Sequence, residues 1–147
     1  MEHLDALLDP GRFDEALRAL RRQKSAAIPT LIAAVESPAL KEGSHQRKQV
    51  IKLLGRLKSV DGLHAAVAFY GGEYVYDHQY GHTLPIALMG KTGEAGIARL
   101  LHYLEHPPIP DGYTEKQAQS RRWSLGYAVM EAPVSYTHLR AHETVRN

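Results

Sequence analysis

No cysteine occurs in the 147 residues, which excludes disulfide frameworks and thiolate metal sites. Long apolar runs are missing too. The longest, Ala26 to Val35, is interrupted by Pro29 and Thr30 and falls well short of the roughly 20 residues of a membrane span. The opening Met1-Glu2-His3-Leu4-Asp5 carries acid where a secretory leader would carry Lys or Arg, so no membrane partner and a cytoplasmic location are expected. Charge of one sign is scarce: the formal net charge is only +2, too little to imply a nucleic-acid partner by itself. Gly90-Lys91-Thr92-Gly93 lacks the earlier glycine and the preceding strand of a phosphate loop. No Ser/His/Asp set stands in a supporting context, so no catalytic residue, cofactor or metal site is assigned.

Repetition is present instead. Ile28, Leu31, Ile32 and Val35 recur as Leu63, Ala66, Val67 and Tyr70, then as Ile97, Leu100, Leu101 and Leu104. Each set follows the i, i+3, i+4, i+7 spacing of one helix face. A second series, Leu54-Gly55, Met89-Gly90 and Leu125-Gly126, keeps nearly the same period. The glycines suggest points where neighbouring helices approach closely. Two markers repeating in step predict an all-α fold: an α-solenoid of stacked antiparallel helix pairs, about three and a half of them, in a right-handed superhelix.

Phe13, Ala16, Leu17 and Leu20 mark a first helix. Ser25 is placed to cap the next, with Pro29 in its first turn and an end near Glu36-Ser37-Pro38. Ser44 is expected to cap a helix reaching about Lys58. Pro85 should break or kink any return helix that begins much before it. Another helix runs from about Gly93 to His106, and the last spans roughly Thr114 to Met130, its outer residues Trp123, Tyr127 and Met130 left for a further neighbour. Long turns fall inside pairs and short ones between them.

Ala27-Ile28-Pro29-Thr30-Leu31, followed by Gln46-Arg47-Lys48-Gln49-Val50-Ile51-Lys52-Leu53-Leu54-Gly55-Arg56-Leu57, resembles a HEAT repeat of the short bacterial type found in phycobilisome lyase-like proteins. Met89-Gly90-Lys91-Thr92-Gly93-Glu94-Ala95-Gly96-Ile97 is similar to the junction between two such repeats. The likeness covers about residues 12 to 132 and implies a binding scaffold. Val134 to Thr144 resembles one reading frame of a transposase adaptor used in sequencing libraries. That resemblance implies a HEAT-like domain over 1–133, truncated there, and a non-native tail over 134–147.

Three surfaces are candidates. Tyr74, Tyr76 and Tyr80 concentrate aromatic area between Gly71 and Gly81, and tyrosines serve well as anchors for a protein partner. Basic residues gather on the return helices: Arg18, Arg21 and Arg22, then Arg47, Lys48, Lys52 and Arg56, then Arg121 and Arg122. If these helices line the concave side, Arg21, Arg22, Arg47, Lys48, Lys52, Arg121 and Arg122 form a phosphate-binding groove for nucleic acid. His102-Tyr103-Leu104-Glu105-His106 has the H-x-x-E-H form of inverted zinc peptidases. Leu104 falls on the apolar stripe and Pro107-Pro108 follows at once, which favours an ordinary helix flank. His78 and His82 share that four-residue spacing, but Gly81 and Pro85 argue against a regular helix holding both. The expected role is a non-catalytic protein-binding scaffold; the alternative is nucleic-acid binding.

Overall fold

The chain opens on a single helical turn, α1 (Leu4–Leu7), which buries Ala6 and Leu7. The Asp9 carboxylate then accepts the Gly11 N–H at 3.0 Å and turns the backbone. In α2 (Phe13–Gln23) Phe13, Ala16, Leu17 and Leu20 are buried, with Asp14 and Glu15 in the first turn and Arg21 and Arg22 in the last. That charge order complements the helix dipole. The computed structural model describes residues 3–41, 44–68, 78–109 and 111–132, with the backbone alone for 78–83. Among these residues every regular element is a helix, and no strand occurs.

Lys24, at φ 55, ends α2. A 3-10 turn, Lys24–Ala27, leads straight into α3 (Ile28–Val35), whose Pro29 lies in the first turn. Ser25 does not cap α3, because the 3-10 turn supplies the entry and no side chain bonds at the N-cap. Ser44 does cap α4 (His45–Arg56), its hydroxyl accepting the Arg47 N–H at 3.1 Å. The Gly62 N–H bonds to the buried Ser59 Oγ at 3.0 Å where α5 (Val60–Ala68) begins. Helix α6 (His78–Met89) carries Pro85 inside it. The expectation that Pro85 would delay this helix, and keep His78 and His82 off one, is corrected. Packing against α4, α5 and α8 outweighs the one hydrogen bond that the proline removes. Gly93, at φ 112, precedes α7 (Glu94–Glu105). Finally α8 (Glu115–Glu131) starts on a capping box, in which the Gln117 N–H donates to Thr114 Oγ1 at 3.2 Å and the Thr114 N–H to Gln117 Oε1 at 2.8 Å.

Contacts run in two rows. Helices α1, α3, α5 and α7 touch in that order, and so do α2, α4, α6 and α8. Each odd helix also touches the even helix that follows it, and α4 and α6 touch the next odd one. One apolar cluster runs through both rows, with Leu7, Leu20, Leu31, Leu54, Leu63, Ile86, Met89 and Leu125 almost wholly enclosed. Enclosing each such side chain is worth about 1.5–3 kcal/mol.

The repeat markers hold unevenly. A Cβ at Gly55 would stand 3.0 Å from Leu88 Cδ1, so this glycine does admit α6 closely to α4. At Gly126 a Cβ would meet no atom of the described residues within 4 Å. Leu31, Val35, Leu63, Ala66, Val67, Ile97 and Leu100 are buried, but Leu101 and Leu104 are about half-exposed. Gly96 and Tyr103 complete the buried face of α7 instead. This helix contacts α5, α6 and α8, and Leu101 and Leu104 are left outside those contacts. No helix among the described residues is long and apolar enough to cross a membrane.

Candidate functional surfaces

Arg47 and Arg121 are the largest correction to the expected basic groove, at only 3% and 5% exposure. Arg47 stands on α4 in phase with Val50, Ile51 and Leu54. Its Nη1 donates to the Val35 carbonyl at 2.6 Å and its Nη2 to that of Ala66 at 3.3 Å. On α8, Arg121 is in phase with Ala118, Leu125 and Ala128. Its Nη2 donates to the Val67 carbonyl at 2.5 Å and its Nε to that of Pro108 at 3.2 Å. Val35, Ala66 and Val67 lie in the last turns of α3 and α5, where carbonyls lack partners within the helix and the dipole is negative. Each guanidinium thus ties two odd-row segments together, and neither is presented to a groove.

Of the other expected phosphate contacts, Arg21 and Arg22 on α2 and Lys48 and Lys52 on α4 are exposed. Arg122, on α8, pairs with Glu115 at 3.4 Å. The outward stripe of α4 reads His45, Lys48, Lys52 and Arg56, and the helix holds no acidic residue. Helices α2 and α4 are in contact, whereas α6 stands between α4 and α8. The basic surface is therefore confined to the first two even-row helices.

Tyr74 and Tyr76, like the tail over 134–147, lie outside the described residues, and Tyr80 falls in the first turn of α6. The H-x-x-E-H motif has its rings together, with the His102 and His106 centroids 4.9 Å apart. Yet His106 is already past the end of α7, at φ −133, and among the described residues no group of three or more His, Asp or Glu could hold a metal ion. Leu104, expected in the buried stripe, is half-exposed, and Tyr103 is the buried member of this motif.

Tyr103 belongs to a polar joint between α5 and α7. Its hydroxyl lies 2.5 Å from His64 Nδ1, and Arg99 pairs with Asp61 at 3.3 Å beside it. Burial pushes the Tyr103 phenol well above its usual range, against the opposing effect of Arg99. Burial also lowers the His64 pKa, helped by Arg99 and His102 and opposed by Asp61. The pair is thus a neutral imidazole hydrogen-bonded to a neutral phenol, with the donor set by the imidazole tautomer. The folded ring holds its proton less well than the unfolded one, so protons favour the unfolded chain. Stability from this site is full above the ordinary value of 6.5 and is lost as pH falls below it toward the lowered folded value. In urea titrations from about pH 8 to about pH 5, wild type should lose more stability than His64→Gln. Equal losses would contradict the assignment.

Three of the exposed large apolar side chains among the described residues stand on the last helix. Trp123, Tyr127 and Met130 are 72%, 56% and 76% exposed, as expected for residues left to a further neighbour. The Trp123 and Tyr127 rings stack, with centroids 5.7 Å apart and planes at 17°. Ala118, Leu125 and Ala128 line the opposite, buried side of α8. The helix is therefore apolar on two sides, a composition typical of a helix with neighbours on both. At the other end of the molecule a shallow cleft is lined by Leu7, Leu8, Pro10, Ala39, Leu40, Lys41, Ser44 and Gln46. Lys41 is the charged side chain among the described residues that line it. The chain matches no family model, no curated protein and no solved structure.

Proposed function

We propose that this chain is a HEAT-like α-solenoid of helix pairs that serves as a non-catalytic protein-binding scaffold. The two rows of sequentially touching helices support the architecture, and so do the guanidinium ties set two repeat lengths apart at Arg47 and Arg121. The exposed strip of Trp123, Tyr127 and Met130 carries the function. Stacked aromatic rings facing water are the kind of rigid anchor that a protein interface covers. Tyr74, Tyr76 and Tyr80 are proposed as a second contact.

Site-specific photo-crosslinkers placed at Tyr127, at Tyr76 and, as a control, at Asp14 test this in cells. Discrete protein adducts at Tyr127 or Tyr76, absent at Asp14, are the expected result. Adducts at all three positions alike, or at none, would overturn the scaffold.

Nucleic-acid binding is the second reading, and the acid-free stripe His45, Lys48, Lys52 and Arg56 favours it. A surface of roughly four phosphate contacts gives a log–log salt slope near −3.6. Reversing Lys48 and Lys52 to Glu should abolish such binding if it exists, while leaving the crosslinks at Tyr127 intact.

A further inference from the structure

We infer that the outer face of α8 is a docking site for an amphipathic helix of a partner protein, seated on α8 as α6 is seated on α4. This deepens the scaffold proposal and depends on it. Gly55 and Gly126 occupy the same place in the repeat series, each after a buried leucine, Leu54 or Leu125. At Gly55 the missing Cβ makes room for Leu88 of α6, which would otherwise be 3.0 Å away. The same opening at Gly126 meets no atom of the described residues within 4 Å. It lies on the water-facing side of α8, between Trp123 and Met130.

Trp123, Gly126, Tyr127 and Met130 follow the i, i+3, i+4, i+7 rule of a helix-packing seam. The stacked indole and phenol form one wall of it, Gly126 the floor and Met130 the far end. A leucine-sized side chain, presented as α6 presents Leu88, fits that floor. The even row α2, α4, α6, α8 thus continues on a surface already shaped for its next member. The occupant is accordingly a helix with leucine or a similar residue at i, i+3, i+4 and i+7. A second copy of α8 would bring Trp123 and Tyr127, which are too bulky for a place shaped like that of Leu88.

Trp123 is the single tryptophan, so its fluorescence reads this face alone. The full chain is titrated with a synthetic helical peptide bearing a leucine stripe, and with a scrambled peptide of identical composition that lacks the stripe. The expected result is a saturable blue shift with the striped peptide and none with the scrambled one. Gly126→Leu adds its side chain where a Cβ meets no atom of the described residues within 4 Å, and it should weaken the striped peptide at least tenfold while helical circular dichroism is kept. Three results would overturn the inference. The first is that the two peptides act alike, and the second is that Gly126→Leu leaves binding unchanged. The third is a buried-indole spectrum in the unliganded protein, at high dilution (cover by the chain's own tail) or only on concentration (a second copy). Tyr127 crosslinks in cells, with no response to the striped peptide, would sink the helix while leaving the scaffold standing.

Discussion

Replacing Arg47 or Arg121 with methionine is expected to lower stability by about 3 kcal/mol in each case. Each guanidinium makes two hydrogen bonds to main-chain carbonyls. Charged hydrogen bonds of this kind contribute about 1.5–3 kcal/mol each, and a carbonyl left buried without a partner costs a similar amount. Against that, methionine keeps much of the stem's packing and removes the desolvation cost of the charge. In a chain of this size the net loss corresponds to a melting temperature lower by about 6–12 °C. Arg47→Lys should recover less than half of the loss, because an ammonium lacks the planar fork that spans Val35 and Ala66. Lys48→Met and Lys52→Met, on the same helix but in water, should stay within about 0.5 kcal/mol of wild type. Urea unfolding of the five variants makes the comparison. If Arg47→Met proved as mild as Lys52→Met, the guanidinium would not be tying α3 to α5.

Two glycine-to-alanine changes should move stability in opposite directions. A Cβ at Gly96 would run into the Met89 carbonyl and the Thr92 hydroxyl, where α7 begins against the end of α6. Backbone has to shift there, and Gly96→Ala should cost about 2–3 kcal/mol despite alanine's better helix propensity. Gly126 sits in mid-helix with none of the described residues within 4 Å of its Cβ position, so Gly126→Ala should gain up to about 1 kcal/mol. Thermal melts of the two variants read the contrast directly. A loss at both positions would mean that the open side of α8 is occupied within the chain itself.

Why a stabilising change is available at Gly126 follows from where α8 stands. At Gly55 the glycine is explained by α6, and at Gly126 it is explained only by a neighbour that the described residues do not supply. The stripes of α3 and α5 are legible in part: Leu31, Val35, Leu63, Ala66 and Val67 are buried, Ile28 and Ile32 partly so, and Tyr70 lies outside the described residues. Leu101 and Leu104 share that spacing, yet they end half-exposed because periodicity reports which side of a helix is apolar and not whether anything covers it. Trp123, Tyr127 and Met130 were recognisable as an outer face for a related reason: the inward stripe of α8 was already filled by Ala118, Leu125 and Ala128.

The two buried arginines were misread as part of a basic groove. A signal was present, since both fall in phase with an apolar stripe, and an arginine on the inward side of a helix implies buried acceptors. What the sequence does not carry is the identity of those acceptors. Carbonyls at helix ends look alike whatever the residue, so Val35, Ala66, Val67 and Pro108 could be found only from the fold. The His64–Tyr103 joint is hidden likewise, because the apolar spacing points to Leu104 as the buried residue of this stretch and the sequence carries no sign that Tyr103 meets His64.

The ordered rows of helices underlie both the scaffold and its open end, and one crosslink tests them. With Cys introduced at 55 and 88 in this cysteine-free chain, the new sulfurs can bond only to each other or between molecules. A Cβ at position 55 would stand 3.3 Å from that of Leu88, close to the separation of about 3.5–4.5 Å that a disulfide spans. Mild oxidation should close an intramolecular bridge in Gly55→Cys/Leu88→Cys and leave Gly55→Cys/Gly126→Cys open. A first pair that stays reduced, or that links only between molecules, would contradict the row of even helices and with it the docking place on α8.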